Sequence, residues 1–80
     1  MRLSRDVSGA DLIKAFRVFG YQISRQTGSH IRLTTSENGT HHVTIPNYSP
    51  LRIGTFAAIL DDIANHFKIS RRELLSKIKL

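Results

Sequence analysis

The sequence contains no cysteine. That removes disulfide scaffolds, thiolate nucleophiles and thiolate zinc sites, and it suits a reducing cytoplasm. Acidic residues are scarce, 6 Asp and Glu against 12 Lys and Arg. No apolar run approaches the ~20 residues of a membrane span. Arg2 and Arg5 near the start are not followed by the apolar segment, about 7–15 residues, of a signal peptide. The expectation from these absences is a cytoplasmic protein, complete as it stands, with no membrane contact.

What is present fills one small domain spanning residues 1–80. Apolar residues make up 40% and aromatics 8% of the 80 residues, enough for a core at a length where one core is only marginally adequate. The formal charge of +6 and pI near 10.6 make a nucleic acid or an acidic protein the expected partner.

Periodicity then divides the chain. Ser8 and Asp11 form a capping pair, and Leu12, Ile13, Phe16 and Phe19 recur at helical spacing up to Gly20, which predicts a helix over about 9–19. From Tyr21 the period becomes two. Tyr21 and Ile23, then Ile31 and Leu33, then Val43 and Ile45 alternate with polar residues, as half-buried strands do. Pro46-Asn47-Tyr48-Ser49-Pro50 reads as a loop. A second helix follows, from Ile53 or Gly54 to Asn65, with Phe56, Ile59, Leu60, Ile63 and Phe67 as its buried stripe. Ser70 and Glu73 frame a capping box for a third helix, Arg71 to about Lys79. The expected fold is α+β, an α-β-β-β-α two-layer sandwich: a three-stranded antiparallel sheet, helices on one face, and a short extra C-terminal helix.

Loop chemistry suggests a register. Three-residue loops Gln26-Thr27-Gly28 and Glu37-Asn38-Gly39 place Gly third, where a left-handed residue is needed. That pairs Ile23 with Ile31, Tyr21 with Leu33, Leu33 with Val43, and Ile31 with Ile45. Ser24, His30, Arg32, His42 and Thr44 then share the face opposite the apolar set, a polar and basic surface. Gly28-Ser29-His30 sets an imidazole where a turn opens into a strand, and His exchanges protons near neutral pH.

The order of elements is similar to the double-stranded-RNA-binding fold, and the residues resemble one family more closely. Leu12 to Leu33, with Phe19-Gly20-Tyr21 and Arg25-Gln26-Thr27-Gly28-Ser29-His30-Ile31-Arg32-Leu33, then Val43-Thr44-Ile45-Pro46 and Gly54-Thr55-Phe56, resemble the HicA (YcfA-like) mRNA interferase toxins over roughly residues 10–75. The resemblance implies an RNA-cleaving toxin held inactive by a HicB-like antitoxin that covers the active face. It puts the catalytic role on His30. It departs at Thr27, where the family commonly has Lys or another polar residue, and at Ile53, where Pro or a small residue is common.

RNA carries its own nucleophile, the 2′-hydroxyl, so such an enzyme needs proton transfer and charge stabilisation and no cofactor. Arg32 is the leading phosphate ligand, because a guanidinium fork matches phosphate oxygens. Ser29 and His42 are further candidates for contact with RNA, His42 also as a second proton carrier. Arg25 and Arg52 are weaker, Arg25 because alternation puts it on the wrong face unless a bulge re-aims it. His66 at the end of the second helix complements the helix dipole by default, Asp61 and Asp62 read as a solvated face, and His41 receives no role. Adjacent His41 and His42 point to opposite faces and cannot chelate one ion, so no metal is expected. Two alternatives share the charge and fold: a non-catalytic RNA-binding module, for which Lys68, Arg71, Arg72, Lys77 and Lys79 would offer a basic helix end, and a domain that only docks an acidic protein.

Overall fold

The computed structural model describes residues 6–80; Arg2 and Arg5 lie outside them. Ser8 opens α1 (Gly9–Ala15) with both halves of a capping box: its Oγ accepts the Asp11 N–H at 3.1 Å, and Asp11 Oδ2 accepts the Ser8 N–H at 3.0 Å. The expected single helix over 9–19 divides here, because Phe16–Phe19 tightens into a 3-10 turn, a common ending for a helix. Three strands follow, β1 (Gln22–Thr27), β2 (His30–Thr35) and β3 (His41–Pro46), in one antiparallel sheet of order β1-β2-β3. Then come α2 (Ile53–Phe67) and α3 (Arg71–Lys77).

The molecule is α+β, with its helices on one face of the sheet. Leu12 and Phe16 from the first helical segment, Phe56, Leu60 and Ile63 from α2 and Leu74 from α3 bury against Ile31, Leu33, Val43 and Ile45. α2 runs past the expected Asn65 to Phe67, whose ring packs on Phe19 at 4.8 Å, and Lys68 closes it in the left-handed conformation. α3 stops at Lys77, short of Lys79. At its start Ser70 Oγ accepts the Glu73 N–H at 3.0 Å, the serine half of the expected box.

The β2–β3 register is as expected, Leu33 opposite Val43 and Ile31 opposite Ile45. The β1–β2 register is not. Thr27 pairs with His30 across a two-residue loop, Gly28-Ser29, and Gly28 sits at φ +58°, the left-handed first position that Gly takes in a II′ hairpin. Ile23 then lies opposite Leu33 and Gln26 opposite Ile31, in place of Ile23 with Ile31. A bulge between Ile23 and Arg25 takes up the difference. Every residue of β1 is exposed, so burial does not select its register.

Asp61 and Asp62 are exposed, as expected of a solvated face, and each also has a partner. Arg71 Nε and Nη2 donate to the two Asp61 oxygens at 2.8 and 2.7 Å, which withdraws Arg71 from the basic helix end. Asp62 accepts from His41 Nε2 at 3.2 Å. His41 lies on the helical side of the sheet, and its Nδ1 accepts the Tyr21 hydroxyl at 2.7 Å. Its ring stacks on His66 at 4.4 Å and 11°. The His66 ring does not serve its own helix end; its Nε2 donates to the Glu37 carbonyl at 2.9 Å. This cluster fastens the β2–β3 loop and the sheet to α2.

Candidate active site

The open face of the sheet carries the site. His30 is the first residue of β2 and is exposed, opposite Thr27 on one side and Pro46 on the other. Alternation puts Arg32 and Thr34 on the same face. A cavity of about 240 Å³ is lined by Arg25, Thr27, His30, Arg32 and Thr44. None of these is acidic, and no strand residue is Asp or Glu.

The bulge decides the chemistry of this cavity. Strict alternation from Ile23 would send Arg25 to the helical face. The extra residue places Ser24 and Arg25 together over Arg32, and Arg25 pairs directly with Arg32. Like charges opposite each other across a sheet repel. An anion between two guanidinium groups relieves that repulsion and accepts their fork-shaped donors.

A hydrogen-bond chain leads from the cavity along the same face. Arg32 Nε donates to Ser24 Oγ at 3.1 Å, and Ser24 Oγ donates to the Arg32 carbonyl at 3.2 Å. Thr34 Oγ1 donates to Ser24 Oγ at 2.7 Å and lies 2.7 Å from His42 Nδ1. With Nε held by Ser24, the two terminal nitrogens of Arg32 are left for a ligand.

The sequence-derived candidates therefore separate. His30, Arg32 and Arg25 come together. Ser29 is the second turn residue, half-buried, and its carbonyl accepts the Asn47 N–H at 2.7 Å; it does not line the cavity. His42 pairs with Thr34, four residues along β2 from His30, about 13 Å at the usual strand rise. At that distance the two imidazoles cannot both reach one phosphate. Arg52 lies outside the cavity, at the start of α2.

Sequence reasoning missed Thr34 as a link, although its place on the polar face was readable. It also passed over Tyr48, an aromatic residue in a Pro-bounded loop that is 54% exposed. A second open cavity, about 410 Å³, lies between Pro46, Tyr48, Pro50, Leu51, Arg52 and Thr55. Among the described residues, no group of three or more His, Cys, Asp or Glu side chains is placed to hold a metal ion. No helix among them is long and apolar enough to cross a membrane.

An imidazole and two guanidiniums on an open, acid-free sheet face define a small basic α+β protein built to meet an anionic ligand. The family model for the HicA toxin of bacterial toxin-antitoxin systems matches residues 9–64. The chain belongs to that family, and it is a toxin of a toxin–antitoxin system. No curated protein matches the chain, and no solved structure does.

Proposed function

We propose that this toxin is an endoribonuclease that cleaves messenger RNA through proton transfer at His30, without a metal or other cofactor. A HicB-like antitoxin would restrain it by covering the open face. The observation that carries the reading is the cavity itself, an exposed imidazole beside Arg25 and Arg32 with no carboxylate in reach.

The chemistry follows from RNA. The 2′-oxygen attacks the adjacent phosphorus as it loses its proton, the bond to the 5′-oxygen breaks, and that oxygen gains a proton. The products are a 2′,3′-cyclic phosphate and a free 5′-hydroxyl. His30 handles a proton of this exchange, a role typically worth ~10²–10⁴-fold in rate. Arg32, held by Ser24, and Arg25 steady the charge on the phosphoryl oxygens, and preformed donors of this kind commonly supply a similar factor. Uncharged Thr27 and Thr44 complete the walls, where a carboxylate would repel the substrate.

The test is His30→Ala. The variant should bind an RNA oligonucleotide with nearly parental affinity, cleave it ~10²–10⁴-fold more slowly, and no longer arrest growth when expressed without antitoxin. Parental activity in the variant would remove His30 from the mechanism. Intact but gel-shifted RNA with the parent protein would point to a binding module instead.

A further inference from the structure

We propose that Tyr48, together with Pro46 and Arg52, forms a subsite for the nucleobase next to the scissile phosphate, the exposed ring stacking on that base. This inference rests on the ribonuclease reading and extends it from the phosphate to the flanking nucleotide.

The cavity adjoins the catalytic candidate. Pro46 pairs with His30 and so shares its face, and Pro46 also lines the cavity that holds Tyr48 and Arg52. The two cavities therefore each border the His30–Pro46 pair. A strand whose phosphate lies against His30, Arg25 and Arg32 must pass its neighbouring base over one of the two flanks, and this flank presents a ring.

The ring is exposed although its backbone is anchored. The Tyr48 carbonyl accepts the Gly9 N–H at 2.9 Å, the Tyr48 N–H donates to Pro46 O at 2.9 Å, and the Leu51 N–H donates to Val7 O at 2.8 Å. The Asn47 N–H bonds to the turn that carries His30. Tyr48 is thus fixed relative to the imidazole while its ring faces solvent. A positioned aromatic with an open face is what unstacked RNA bases use for docking. Arg52, exposed at the start of α2 with no side-chain hydrogen bond to the helix end, stands beside the same cavity and supplies a cation for the phosphate that follows the base.

Two measurements on the full-length protein test this. In steady-state cleavage, Tyr48→Ala should raise KM about 5- to 100-fold, the range set by one base–aromatic stack, and leave kcat within about twofold, as loss of uniform binding does. Tyr48→Phe keeps the ring and should restore parental KM. In a set of RNAs bearing one abasic residue at successive positions around the cleavage site, one position should cost the parent as much as Tyr48→Ala costs, and the two losses should not multiply there. The chain has no Trp and two Tyr, so tyrosine emission gives the second readout. A 2′-deoxy oligonucleotide, which lacks the attacking hydroxyl, should quench emission in the parent and not in Tyr48→Phe.

Unchanged KM in Tyr48→Ala, or penalties that multiply at every abasic position, would overturn the subsite. So would a variant that cleaves RNA normally and loses only antitoxin binding, because the ring would then belong to the protein partner. Quenching without any cleavage by the parent would keep the subsite and remove the ribonuclease reading.

Discussion

Ser24 accepts two hydrogen bonds and donates a third, and that count fixes the direction of its whole chain. Its proton goes to the Arg32 carbonyl, so both Arg32 Nε–H and the Thr34 hydroxyl donate to it. Thr34 has one proton and has given it to Ser24. Its oxygen must therefore accept from His42, which places a hydrogen on His42 Nδ1. His42 is thus the far end of the hydrogen-bond chain that holds the Arg32 guanidinium. Ser24→Ala should lower cleavage by about tenfold, the scale of one hydrogen bond to a charged group, and Ser24→Thr should recover most of it. Because Ser24 acts through Arg32, Ser24→Ala should add almost nothing to Arg32→Ala, which a double-mutant cycle on the cleavage rate checks directly. Multiplying losses would separate the two residues.

Between elements, α1 approaches the end of β3 closely. A Cβ on Gly9 would press into the Pro46 carbonyl and to 2.9 Å from Asn47 Cα. Both are backbone atoms that cannot turn aside, and Asn47 is bonded to the turn before His30. Gly9→Ala should cost ~1–3 kcal/mol in overpacking, a fall in Tm of roughly 5–20 °C for a protein of this length, and it should disturb cleavage as well. Gly54→Ala is the contrast, since its Cβ would meet nothing within 4 Å. It should hold or slightly raise Tm, because Ala suits a helix better than Gly. Thermal melts of both variants decide. At this scale much was legible in the chain. Ser8 and Asp11 announced α1, the stripe of α2 announced its buried side, and Ile31, Leu33, Val43 and Ile45 set the β2–β3 register because a one-residue slip would expose all four. β1 offered no such constraint. Its residues are all exposed, Gly28 suits either of two loop lengths, and the polar run Ser24-Arg25 carries no mark of a bulge. His30 was thus readable from its turn, whereas Arg25 entered the site through an irregularity that local patterns do not encode. The Tyr21–His41–Asp62 contacts join residues 20 and 21 positions apart, beyond the reach of any local signal.

For the molecule as a whole, ionisation limits stability at both ends of the pH scale. The Ser8 N–H and hydroxyl hold the Asp11 carboxyl below the usual carboxylate range, and the hydrogen bond from Arg71 does the same for Asp61. A carboxyl with a depressed folded pKa stabilises the fold above its unfolded value, ~3.9, and loses that contribution as pH falls through the folded one. Burial first, and the nearby Asp62 second, push the Tyr21 hydroxyl well above its ordinary 10. A raised pKa reverses the sign: the contribution is complete below pH ~10 and disappears as pH rises toward the folded value. Denaturant midpoints should fall below about pH 4 and again above about pH 10. In Tyr48→Phe, where Tyr21 is the sole tyrosine, tyrosinate absorbance should appear only beyond the ordinary range. Tyrosinate formation near pH 10 in the folded variant would contradict the burial of the Tyr21 hydroxyl. Self-association is governed at this scale too. β1 is an outer strand, six residues long and fully exposed, the kind of border on which another chain readily adds itself as a further strand. The extra residue at Ser24 breaks the spacing of its outward-facing amides, and Arg25 sets a positive charge beside the break. The bulge that sets Arg25 beside Arg32 thereby also makes this border a poor template for a further strand.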